Sequence, residues 1–179
     1  MTDPTRPTQP TMPAQLAMPT QADILKRLEM AQQRLQALGT GAVPAGLTQP
    51  DPGGTEQWQA GNVWAHMAEF LPYWQSQVAK VTGAYMGTPV PFGRTKEDPG
   101  RIAGIAVGQT ASVPNLMQQV QAALQMTHNY ISSMTPEQWQ AIGMHARRGE
   151  MTVPQMLQTF TLDHLEEHAA QLESLGLNV

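Results

Sequence analysis

The chain contains no cysteine. That excludes a disulfide scaffold, a thiolate metal site and a cysteine nucleophile. Charge is scarce as well: Asp, Glu, Lys and Arg make up 13% of the 179 residues, against roughly a quarter in an ordinary soluble domain. The formal net charge is −4, so no global basic field draws in nucleic acid. No run approaches the roughly 18 apolar residues that a membrane span needs. The stretch after Met1, TDPTRPTQPTMPAQLAMPT, lacks the apolar core of a signal peptide. We therefore expect a soluble, cytoplasmic protein with neither nucleic-acid nor membrane partners. Alternation of apolar and polar side chains at a period of two is also missing, so strands are not expected.

Apolar residues amount to 41%, enough for one core in one domain. Residues 1–19 are rich in Pro, Thr and Gln and cannot bury enough surface to offset their ordering entropy. They read as a flexible tail ahead of a domain over 20–179. Thr20 is placed to cap a first helix over 21–38, with Asp23 completing a capping box and Gly39 as a stop. Residues 39–55 hold five glycines and three prolines and read as loop. A second helix spans 56–82, its face built by Val63, Met67, Phe70, Leu71, Trp74 and Val78. Pro72 falls inside it, which predicts a kink or break. A long loop follows over 83–111. The third helix covers 112–133, with Ser112 as N-cap and Pro114 in the first turn. Residues 134–151 read as loop with a short helical turn near Pro136. The fourth helix runs over 152–175, capped by Thr152 and ended by Gly176. Four amphipathic helices without strands predict an all-α four-helix bundle.

His164 and His168 stand four residues apart in DHLEEHAAQLESL, hence one turn apart on one helix face. At about 100° per residue both fall on the apolar stripe of the fourth helix. Two imidazoles so placed can share a divalent metal, or can serve only as hydrogen-bonded core residues. His66, in VWAHMAEF, sits on the flank of the second helix, and a bundle can bring it to the same depth. Three histidines leave positions open on a metal, as a catalytic metal requires. His128 reads as a boundary residue and His145, beside Arg147 and Arg148, as a surface one. Asp163 and Glu167 are the nearer carboxylates able to accept an imidazole N–H, whereas Glu166 turns outward. The His-Leu-Glu-Glu-His order lacks the His-Glu-x-x-His pattern of zinc proteases.

Taken together, VWAHMAEF, the turn RRGEMTVPQML and the late HLEEHAAQL resemble the DinB-like superfamily over about residues 20–176. The resemblance implies a four-helix bundle of variant up-and-down topology, often a homodimer. It implies a divalent metal held at positions His66, His164 and His168; three imidazoles suit zinc, nickel, copper or iron, and zinc or nickel is the expectation. Relatives include thiol-dependent transferases and isomerases using low-molecular-weight thiols such as mycothiol or bacillithiol.

The expected function is thus a metal-dependent enzyme, a thiol-dependent S-transferase or a hydrolase. With no cysteine in the chain, a thiol must arrive as cosubstrate. Arg94 and Arg101, in the long loop, are candidates to hold a carboxylate on it. The alternative is a non-catalytic dimeric binding or stress-associated bundle whose metal is structural or absent. Trp58, Trp64 and Trp74 are not all expected to fit one core, which favours a homodimer with an aromatic interface.

Overall fold

The computed structural model describes residues 18–50 and 55–176. Most of the tail expected over 1–19 lies outside the described residues. In chain order the elements are α1 (Gln21–Gly39), α2 (Ala60–Ala84), β1 (Val90–Phe92), α3 (Pro99–Val107), α4 (Val113–Ser132), α5 (Pro136–Trp139), β2 (Ile142–His145), β3 (Gly149–Thr152), α6 (Val153–Leu157), a π-helical turn (Gln158–Leu162) and α7 (Asp163–Gly176).

The expected four-helix bundle consists of α1, α2, α4 and the rod that runs from α6 through α7. Helices α1 and α2 each pack on both α4 and α7. They therefore stand diagonally across the bundle, although they are consecutive in the chain. A plain up-and-down bundle sets consecutive helices side by side, so this is the variant topology.

Local chemistry explains the ends. The Thr20 hydroxyl accepts the Asp23 N–H at 3.2 Å and the Asp23 carboxylate accepts the Thr20 N–H at 2.9 Å, a full capping box. Thr152 and Gln155 repeat that arrangement at α6. Ile24, Leu28, Ala31 and Leu35 form the buried stripe of α1. Helix α2 continues through Pro72 without a break.

Two segments expected as loops hold more structure than that. Residues 83–111 contain β1 and α3, and residues 134–151 contain β2 and part of β3 besides the short helix near Pro136. The expectation of no strands is corrected by a three-stranded sheet of order β1-β2-β3. Val90 and Phe92 pair in parallel with Gly143 and His145. Ile142 and His145 pair antiparallel with Thr152 and Gly149. Strands of three or four residues are too short to show a period in sequence.

Helix α3 lies against α2 through glycine. A Cβ on Gly108 would sit 2.2 Å from the Gly61 carbonyl oxygen, so only two bare backbones fit there. Asn62 Nδ2 adds a bond to the Ile105 carbonyl at 3.0 Å. With α3 on its outer side, α2 is buried without interruption from Ala60 to Met67. The same wrapping corrects the tryptophan expectation: Trp64 and Trp74 are both in the core and Trp58 packs against it. The sequence argument for an aromatic dimer interface falls with it.

Candidate metal centre

Three histidines converge from two helices. His66 lies in the second turn of α2, and His164 and His168 lie in the first two turns of α7. Directly before them, the Asp163 N–H bonds back to the Gln158 carbonyl in the wide i→i−5 pattern. Such π turns shift the facing of whatever follows by one residue and recur at functional sites. One imidazole nitrogen from each of His66, His164 and His168 lies within 4.8 Å of the others. His66 Nε2 and His164 Nε2 are 3.3 Å apart. Two ligands at ~2.0–2.1 Å from one ion, near the tetrahedral angle, take about that spacing.

The rings are held by their surroundings. Phe70 stacks on His164 with centroids 4.4 Å apart and planes 7° apart. Trp58 meets His66 edge-on at 5.2 Å and stacks on His168 at 5.8 Å. His168 Nδ1 donates to the Gln171 side-chain oxygen at 2.8 Å, which leaves the lone pair on Nε2. His66 Nδ1 is buried without a hydrogen-bond partner, its nearest carboxylate being Glu69 at 3.9 Å. Burial pushes the His66 imidazole far below its ordinary pKa, and His168 and His164 push it further. Burial and His168 likewise hold His164 well below the usual histidine range. Both lone pairs are thus free of protons at neutral pH, and the donor set fits a divalent metal.

The other predicted residues fall into different places. Asp163 does not face the histidines: its carboxylate pairs with Arg27 at 2.9 Å, and Glu166 shares that guanidinium. Glu167 is exposed and lines a small cavity of about 50 Å³ beside the three histidines. Arg94, a candidate for a cosubstrate carboxylate, is taken up by a carboxylate of the chain itself. Its two terminal nitrogens grip both Glu69 oxygens at 2.6 Å, and its guanidinium lies 3.7 Å from the Tyr73 ring centroid. Arg101 stands on α3 and lines that small cavity together with a larger one of about 540 Å³. His128 is a boundary residue, 3.3 Å from Glu29. His145, expected at the surface, is 7% exposed, because β2 pairing turns it in against Phe92 and Phe160.

Sequence reasoning missed Glu69, Gln171 and Phe70. Glu69 follows His66 by three residues and Gln171 follows His168 by three, so helical spacing was the available signal.

The two cavities differ in charge. Glu56 and Glu167 line the smaller one, whereas the larger one has basic side chains and, among the described residues, no carboxylate. His66, His164 and Arg101 line both and mark their junction.

A family model described as the DinB superfamily matches residues 27–172. The chain belongs to the DinB superfamily. YfiT from Bacillus subtilis, described as a probable metal-dependent hydrolase with an unusual four-helix bundle topology, is similar in structure with TM-score 0.69. It is 15% identical, and the match covers 97% of this chain and 93% of that one. A mycothiol-dependent maleylpyruvate isomerase is similar with TM-score 0.66 and 12% identity, over 89% of this chain and 67% of that one. An uncharacterised protein from Escherichia coli UTI89 matches with TM-score 0.66 and 13% identity, over 89% and 94% of the two chains. At these identities the likeness shows a shared fold. No curated protein matches the sequence. No helix among the described residues is long and apolar enough to cross a membrane.

Proposed function

We propose that this DinB superfamily member is a metal-dependent enzyme, a transferase drawing on a low-molecular-weight thiol or a hydrolase drawing on water. One observation carries the reading: three imidazole nitrogens within 4.8 Å of one another at the junction of two cavities. His66, His164 and His168 would hold the ion, with zinc or nickel foremost among the zinc, nickel, copper and iron that three imidazoles suit. When bound, such an ion supplies Lewis acidity, drawing the pKa of a water or thiol ligand down toward neutrality.

The chain's own side chains do the rest. Gln171 fixes the His168 tautomer, and the Glu69 carboxylate stands 3.9 Å from His66 Nδ1. Arg94 holds Glu69 in place. Arg101, at the mouth of both cavities, takes a carboxylate of the thiol or the substrate. Phe70 and Trp58 keep the rings apart from bulk water. The chain has no cysteine, so the thiol comes from outside. The likeness to a mycothiol-dependent isomerase supports a thiol, and the likeness to YfiT supports water. The proposal extends to a cytoplasmic homodimer, since the family resemblance implies one.

Elemental analysis of protein purified without an affinity tag tests the reading. About one divalent ion per chain is expected, with most of it gone in His164→Ala and retained in His128→Ala and His145→Ala. Equal metal in the His164→Ala variant and the parent would overturn it.

A further inference from the structure

Arg94, Lys96, Arg101, Arg147 and Arg148 line the larger cavity, five of the chain's ten Lys and Arg residues. The chain as a whole carries a net charge of −4, yet among the described residues no Asp or Glu lines this cavity. Half of the basic side chains have therefore been gathered on one concave surface, against the average of the molecule.

The five are not equivalent. Arg94 is committed to Glu69 and lies within 3.4 Å of Asp98, so its charge is spent. Arg147 faces Glu97 at 3.9 Å, with both side chains mostly exposed, which places it on the rim. Among the described residues, Arg101, Arg148 and Lys96 have no carboxylate within ion-pair distance. The Arg101 guanidinium donates to the Lys96 carbonyl at 3.1 Å, and to no other group among the described residues. The Arg148 guanidinium sits 5.7 Å from the Phe160 ring. Like charges brought together without counter-charge repel, and an anion that spans them relieves the repulsion.

The cavity offers more than charge. Trp74 and Phe160 stack 4.1 Å apart and give it an aromatic wall. His145 Nδ1 accepts the Arg147 N–H at 3.2 Å, so its ring proton sits on Nε2 as a neutral donor. A volume of about 540 Å³ suits a small organic molecule. Several cations lining one cavity that also has an aromatic wall suit an organic anion with more than one carboxylate, its carbon resting on that wall, rather than a compact inorganic ion.

We propose that this cavity binds a small dicarboxylate, its two carboxylates shared among Arg101, Lys96 and Arg148. The proposal rests on the metal-enzyme reading only in calling this ligand the substrate; the binding itself needs no metal. Guanidinium forks suit carboxylates through paired N–H donors, and a lysine adds a point charge.

The test is calorimetric titration of the full chain after chelator treatment and dialysis, at pH 7.5 and low salt. The probes are the straight dicarboxylates from malonate to adipate, then the monoamide and diamide of the best binder, and inorganic phosphate. We expect at least one dicarboxylate to bind, the monoamide tenfold or more weaker, and no detectable binding of the diamide. Arg101→Gln, Arg148→Gln and Lys96→Gln should each weaken the dicarboxylate about fivefold or more, at unchanged melting temperature. Arg27→Gln, on another face, should leave it unchanged. Binding should weaken as salt rises. No binding by any dicarboxylate, equal binding of the diamide, or indifference to all three cation variants overturns the proposal. So does phosphate binding as tightly as the best dicarboxylate, which would mean a point-charge site. The His168→Ala variant separates this from the metal reading: His168 lines the smaller cavity and not this one, so the variant should lose metal and keep the dicarboxylate.

Discussion

Acidification from pH 8 to 5.5 should cost the metal-free protein about 3 kcal/mol of folding stability. His66 and His164 are held neutral in the fold by burial and by their neighbouring imidazoles. In the unfolded chain each titrates near ~6.5. Below that pH the unfolded state takes up a proton at each site and the native state does not. Stability from these two groups is therefore complete above pH ~6.5 and is lost as pH falls below it. One unit below, the loss is about 1.4 kcal/mol for each histidine, hence about 3 for the pair. In a domain of this size that is a fall of about 6–12 °C in melting temperature. Calorimetric melts of chelator-treated protein between pH 8 and 5.5 read it directly. His66→Phe keeps an aromatic ring against Trp58 and Phe70 and removes one titrating site. That variant should lose about half of the pH slope. A flat melting temperature across the window would refute the reasoning, as would an unchanged slope in His66→Phe.

Gly108→Ala should destabilise by about 1–3 kcal/mol, because its Cβ would land 2.2 Å from the Gly61 oxygen and 2.6 Å from Asn62 Cα, neither able to rotate away. Gly41→Ala, with nothing within 4 Å, is the control; equal urea midpoints for the two would contradict the packing account. Glu69→Gln should cost about 2–3 kcal/mol in urea denaturation by stranding Arg94. That is short of the ~3–5 of a fully buried pair, because the Glu69 side chain keeps 19% exposure. A loss below about 0.5 kcal/mol, the scale of a surface pair, would mean that the fork carries no load. Sedimentation at micromolar concentration should give a dimer, and a monomer there would remove that part of the proposal.

Much of the bundle was legible because its helices are long and capped. Thr20, Thr152 and Gly39 mark ends, and the stripe Ile24, Leu28, Ala31 and Leu35 marks a buried face. The His164–His168 pair was legible for the same reason: spacing by four on a helix is read without knowing the fold. What escaped reading depends on tertiary contacts. PGRIAGIAV has too much glycine to declare itself a helix, yet the bare backbones of Gly61 and Gly108 are what let α3 lie on α2. His66, expected on a flank, is buried among Trp58, Phe70 and the two histidines of α7. His145 read as surface because Arg147 and Arg148 follow it, while a pairing with residues 90–92 far away in sequence turns it inward. The Arg94–Glu69 fork joins residues 25 apart and leaves no local trace.

The central claim is that His66, His164 and His168 share one divalent ion. Anomalous diffraction from crystals grown with zinc or nickel, recorded on both sides of that metal's absorption edge, tests it most directly. The account predicts one peak per chain at bonding distance from all three imidazoles, ~2.0–2.1 Å if the metal is zinc. A bare triad, or a peak held instead by His128 or His145, would contradict it.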